Sequence, residues 1–271
     1  MSLQGLDQGG PPSPPVLIHA ITPNSRAHRD RISARSALIR IKKITERYGS
    51  QLRKIARHVD DIVKGFDAAT AEGQRLIQGH LRRYTETLDH WADAAAERMV
   101  TEVASADQQR WRRMSQEIGR GIEREIQSAN VVPAMAQMKA DQVRLIKSLP
   151  SDASERVNRL VTEGLSQGRR AEAIAEDIYQ TGLVTRSRAS TIARTETGRA
   201  ATTLQAARAR AAGSTYFRWV TSGDSDVRPS HKRLNNTIHK WSEPPVCDDP
   251  DLRALPGCIF NCRCIAAPIF D

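Results

Sequence analysis

The amino-acid sequence predicts a mainly α-helical protein: a long helical hairpin or stalk, then a region of shorter helices, then a small C-terminal α+β module. Three observations carry this prediction. Of 271 residues, 39% are hydrophobic, 4% aromatic and 27% charged, which is thin for one compact globule and suits long helices that bury one stripe and solvate the rest. Apolar residues recur at steps of three and four through two long stretches. After Gly213 that rhythm stops, and short runs of aromatic and β-branched residues replace it.

The elements follow in order. Residues 1–24 contain Gly9-Gly10-Pro11-Pro12 and Pro14-Pro15 and read as an extended arm. Residues 25–130 read as long paired helices. Ile41, Ile44, Tyr48, Leu52, Ile55, Val59, Ile62 and Phe66 form one narrow seam, and Ile77, Leu81, Tyr84, Leu88, Trp91 and Ala95 form a second. Gly65 and residues 67–73 mark the corner between them, and a further helical stretch covers 106–128. Residues 131–212 hold shorter helices. The first runs from Ala134 to Ser148 and stops at Leu149-Pro150, because the residue before proline is pushed out of helix. Asp152, with Glu155 as its capping-box partner, then starts a helix to Ser166. Arg169 to Tyr179 and Thr185 to Ala212 follow, with Gly213 at the C-cap position. In the module, residues 213–271, the runs Ser214–Val220, Thr237–Trp241 and Cys262–Phe270 read as strands.

The net charge of +10 and pI near 9.9 point to a polyanionic neighbour. Arg186, Arg188, Arg194, Arg199, Arg208 and Arg210 cluster on one predicted helix, and two uses are open: a solvated face, or contact with DNA phosphates through Arg186, Arg188, Arg199, Arg208 and Arg210. The first residues have neither a basic n-region nor an apolar segment of signal-peptide length, and no run of 18 apolar residues occurs. The expectation is a soluble chain made in the cytoplasm, without a membrane partner.

All four cysteines lie beyond residue 246, three of them in "CIFNCRC". A zinc site wants four Cys or His ligands in close pairs. The spacing Cys247-x10-Cys258-x3-Cys262-x-Cys264, with His231 and His239 upstream, has no C-x2-C knuckle. The candidate metal ligands are His231, Cys247, Cys258, Cys262 and Cys264, and zinc is the cofactor they would take. Disulfides and buried thiols are equally compatible with the sequence, and the expectation is no cofactor. A metal-dependent nuclease or hydrolase using His231, His239 and the cysteines is one alternative function; a free DNA-binding protein is another. In "DSDVRPSHKRLNN" the expected structure is a polar turn and short helix, capped by Asp226 or Ser230, with a buried ion pair of Asp226 to Arg228 or Arg263. If Cys262 to Phe270 is a strand, Cys262, Cys264 and Ala266 share one face. The cysteines then either pair with Cys247 and Cys258 or stay as thiols near His231 and Trp219.

Taken in order, "IARTETGRAA", "FRWVTSGDSDVRPSH", Pro256-Gly257 and the terminal "NCRC" resemble the phage Mu F-like minor head proteins, the phage head morphogenesis proteins. The resemblance covers about residues 150–270. It rests on Arg194, Thr195 and Glu196, on Trp219, Asp226, Arg228, His231 and Leu234, and on Asn261, Cys262, Arg263, Cys264 and Pro268. The family usually has glycine in the turn after the histidine-bearing helix, where this chain has Asn235-Asn236; asparagine tolerates the left-handed conformation. Cys247 and Cys258 are extra to the motif. The resemblance implies a non-enzymatic minor capsid protein inside the virion head, present in the host cytoplasm during assembly. It implies the phage portal protein and the capsid interior as partners, with unspecific electrostatic contact to packaged double-stranded DNA.

Overall fold

A computed structural model describes residues 23–118, 124, 129–248 and 251–270. The expected proline-rich arm therefore lies almost wholly outside the described residues, as does the end of the stretch expected at 106–128. Among the described residues the helices that precede the C-terminal module are α1 (Pro23–Lys64), α2 (Ala71–Thr87), α3 (Asp89–Ile118), α4 (Val132–Ser166), α5 (Ala171–Tyr179) and α6 (Thr181–Ala211). The module holds β1 (Tyr216–Val220), the single-turn-and-a-half helix α7 (Pro229–Leu234), β2 (Ile238–Lys240), β3 (Val246–Asp248), β4 (Leu252–Arg253) and β5 (Ile265–Ile269). The protein is mainly α, as its sequence predicts, and no helix among the described residues is long and apolar enough to cross a membrane.

The seam of α1 follows the predicted one through Ile44, Tyr48, Leu52, Ile55 and Val59, all buried, but it continues through Val63, while the predicted Ile41, Ile62 and Phe66 are only partly buried. Its main neighbour is α6, however, and its contact with α2 is slight. The reason is the composition of α6, whose Ala189, Ala193, Thr197 and Gly198 are buried and small. Small side chains let two backbones approach closely, and a Cβ built on Gly49 of α1 would stand 3.3 Å from the Ala193 Cβ. Thr70 caps α2, its hydroxyl accepting from the Gly73 N–H at 3.0 Å. A single helix from Ile77 through Ala95 does not form: the chain breaks at Leu88. There the hydroxyls of Thr85 and Thr87 bond back to the carbonyls of Leu81 and Tyr84, at 3.0 and 2.8 Å, competing with the helix ladder.

The expected stop at Leu149-Pro150 also does not occur. Helix α4 runs through Pro150 without a break. An interior proline costs about 3 kcal/mol, but Ile146, Leu149, Ala153 and Val157 on the same face are buried, and burying each large one is worth roughly 1.5–3 kcal/mol. Burial wins. Asp152 is accordingly no cap, and its carboxylate meets Arg188 at 2.6 Å instead. Residues from 44 through 204, on both sides of residue 130, contribute to one helical core.

The module forms a three-stranded antiparallel sheet in the order β2-β1-β5, with Phe217 opposite His239 and Trp219 opposite Ala266; β3 and β4 pair separately. Strand β5 starts at Ile265 and not at Cys262. Asn261 has φ 58, which turns the chain and keeps residues 262–264 out of the ladder. Pro268 sits on β5 at the sheet edge, where a missing N–H is tolerated. The sheet packs on the end of α6 and on α3: Trp111, Ala206, Ala209, Phe217, Trp219 and Trp241 form one buried cluster with three of the cysteines. Beneath it, Arg208 of α6 donates to Asp107 of α3 at 2.5 Å.

Candidate functional site

The motif residues of α6 meet the chain's last turn. One helical face carries Arg194, Thr195, Gly198 and Thr202, and residues 256–264 lie across it. Arg194 donates to the Asn261 side-chain oxygen at 3.2 Å, and the Asn261 N–H donates to the Thr195 hydroxyl at 3.0 Å. The Thr202 hydroxyl donates to the Pro256 carbonyl at 2.6 Å. Between these bonds the two backbones touch at glycines. A Cβ on Gly198 would stand 3.0 Å from the Gly257 carbonyl oxygen; one on Gly257 would stand 2.8 Å from the Thr202 hydroxyl and 3.1 Å from the Gly198 carbonyl. Gly257 also has φ +84, which an L side chain resists. Gly257→Ala is therefore expected to destabilise the module by about 2–3 kcal/mol. Thermal melting with limited proteolysis of the C-terminal end checks this, and wild-type melting with wild-type protection would contradict the packing described.

Glu196 faces the other way, into the helical core. It accepts from Gln142 at 3.1 Å, and Gln142 accepts from the Tyr48 hydroxyl at 2.9 Å. Burial, then the neighbouring Glu196 carboxylate, pushes the Tyr48 phenol well above its ordinary range. The motif thus ties α1, α4 and α6 together on one side and the terminal turn on the other.

The turn brings two cysteines to a histidine. Cys262 and Cys264 Sγ each lie 3.6 Å from His231 Nδ1, and all three residues are buried. His231 is held on α7, its ring edge-on to Trp219 with centroids 5.3 Å apart. The Cys262 sulfur also receives the backbone N–H groups of Gly257 and Cys264, at 3.3 and 3.4 Å. The Cys264 thiol, then His231 and these N–H groups, hold the Cys262 thiol well below its ordinary range against its burial, while the Cys264 thiol is driven up by donating to Cys262 and by burial. All four cysteines are free. Cys247 donates to the Leu252 carbonyl at 3.1 Å, and burial pushes Cys258 up to about 11.

Of the candidate ligands, His231, Cys262 and Cys264 come together, and Cys247 and Cys258 stand outside this group. His239 is elsewhere: it shares a 2.6 Å hydrogen bond with the Thr237 hydroxyl, lies against Phe217, and has its pKa lowered by burial. Among the described residues, His231 Nε2 has no hydrogen-bond partner.

The polar segment before α7 differs from expectation in two ways. Neither Asp226 nor Ser230 caps α7, whose N-cap position is Arg228 without a side-chain bond. The expected buried pair is a half-exposed one: Arg263 reaches Asp224 at 2.8 Å and Asp226 at 3.1 Å. Arg228 instead donates to the Phe260 carbonyl at 2.9 Å and faces Asp248 at 3.6 Å. Asn236 has φ 67, the left-handed turn expected there. Of the arginines proposed for phosphate contact, Arg186, Arg188, Arg199 and Arg210 are exposed, while Arg208 is buried against Asp107 and out of reach. Sequence reasoning missed Gly198, Thr202 and Gln142. Only the run of small residues in α6 could have signalled the first.

Comparison with known proteins bears on this region. Residues 155–267 match the family model described as "Phage Mu protein F like protein". A Haemophilus influenzae protein named "Uncharacterized protein" is 31% identical over 144 residues, which make up 53% of this chain and 31% of that relative. The chain thus matches about a third of the relative's length. No solved structure matches.

Proposed function

We propose that this chain, whose residues 155–267 are a Phage Mu F-like segment, is a minor head protein of a tailed phage. In this reading it sits at the portal inside the capsid and acts in head assembly, in DNA delivery, or in both. The observation that carries the reading is where the family match falls. It spans the last third of α4, all of α5 and α6 and most of the module, and the motif side chains within it are engaged in joining α6 to the terminal turn. Residues that hold two elements together are what an assembly part requires of its signature positions.

The surface suits the proposed surroundings. A net charge of +10 and the exposed Arg186, Arg188, Arg199 and Arg210 along α6 favour packaged double-stranded DNA as a neighbour. Contact of this kind is read from phosphates and not from bases, and it weakens steeply as salt rises. The chain would pass through the host cytoplasm during assembly and end in the virion, with no step at a membrane and no catalytic role.

The test is composition. Heads purified from the phage that encodes this chain are expected to contain it in a few copies, released together with the portal on disruption. Its absence from such heads would overturn the proposal.

A further inference from the structure

We propose that His231, Cys262 and Cys264 bind one Zn2+ ion, which pins α7 to the turn before β5. Three donor atoms on two separate segments converge on a single point. Both sulfurs lie 3.6 Å from the same nitrogen, His231 Nδ1, and the three ligand atoms all lie within 4.8 Å of one another. A tetrahedral zinc with bonds of about 2.3 Å to sulfur and about 2.0–2.1 Å to nitrogen has N···S edges of about 3.5–3.6 Å. Both edges of that figure are present.

His231 Nδ1 offers one lone pair or one N–H and can share a proton with only one sulfur, the Cys264 thiol turning to Cys262 instead. A metal ion satisfies all three donors at once. With Nδ1 presenting its lone pair, the ring proton is carried by Nε2. The supporting groups are those a thiolate ligand uses: the Gly257 and Cys264 N–H groups already aim at the Cys262 sulfur, at 3.3 and 3.4 Å. The turn that delivers both sulfurs depends on Asn261 at φ 58 and Gly257 at φ +84, so the geometry is built by the backbone.

Two sulfurs and an imidazole select zinc over magnesium or calcium, which take oxygen ligands. The fourth position falls to solvent. His231, Cys262 and Cys264 line a cavity of about 270 Å³ together with Ser222, Asp226 and Asn261, while Cys247 and Cys258 are outside the ligand group. The ion would close the loop between residues 231 and 264, so its binding energy would serve as folding energy for a module with a small core.

The full-length chain, purified under reducing conditions without chelator, is expected to carry about one zinc per chain by elemental analysis. Co2+ added to the metal-free chain should give sulfur-to-cobalt charge-transfer absorption with the intense ligand-field bands of a tetrahedral site. Cys262→Ser and Cys264→Ser should each bring the zinc content below about a tenth of the wild-type value, and Cys247→Ser and Cys258→Ser should leave it unchanged. The wild-type cobalt spectrum decides the matter even if a variant fails to fold. A wild-type chain that binds neither zinc nor cobalt overturns the proposal, as does zinc kept by both Cys262→Ser and Cys264→Ser or lost equally from Cys258→Ser.

Discussion

Replacing Arg208 with leucine is expected to cost about 3–5 kcal/mol of stability at neutral pH, because it leaves the Asp107 carboxylate buried without its partner. The two side chains are 8% and 6% exposed and bond at 2.5 Å. They join α3 and α6 beneath the cluster that carries the C-terminal module. Burial pushes Asp107 up to about 6, while Arg208 and then Arg110 pull it down. Removing Arg208 therefore moves Asp107 further up. The sign of the pH effect follows: an acid whose folded pKa lies above its unfolded value favours the folded state when protonated. The deficit should be full above the folded pKa and shrink as the pH falls below it. Asp107→Leu combined with Arg208→Leu should recover most of the loss, since no buried charge then remains. Chemical denaturation of the three proteins at pH 7 and pH 5 checks all of this. A single variant within about 1 kcal/mol of wild type at pH 7 would show that the pair contributes little.

Leu88→Asp carries the second large effect. Leu88 is buried at the break between α2 and α3 and belongs to the helical core with Ile55, Val59 and Leu81. A carboxylate there loses the leucine's packing and has to be desolvated or protonated, a combined cost of roughly 3–5 kcal/mol. For a chain of this size the melting temperature should fall by on the order of 10 °C. Arg82→Asp, on the exposed side of α2, should stay within about 0.5 kcal/mol of wild type. Unchanged helicity and melting for Leu88→Asp would mean that the helices do not pack as described.

Much of this architecture can be read from residue spacing, and the failures share a cause. The α1 seam is visible because large apolar residues mark one face at helical spacing. The partner of that seam is not, because α6 offers alanine, glycine and threonine, which leave no hydrophobic period to count. Pro150 looks like a stop because local preference says so; the burial of Leu149 and Val157 outweighs it, and burial depends on helices far along the chain. Arg208 looks like any other surface arginine until Asp107, 101 residues away, is placed beside it. In the site, the left-handed turn at Asn236 follows from the resemblance and from asparagine's tolerance of that conformation, and of the two fates open to the cysteines the free thiols near His231 and Trp219 are the one found. The route differs, since the turn at Asn261 and not strand alternation aims Cys262 and Cys264.

The proposed place of this chain in a phage head is tested most directly by quantitative mass spectrometry of purified, DNA-filled heads. The account expects the chain in every head preparation, in few copies relative to the major capsid protein, and in fixed ratio to the portal. It also expects Gly257→Ala, which disturbs the joint between α6 and the terminal turn, to lower that ratio. A chain found only in the soluble lysate, with heads complete without it, would contradict the account.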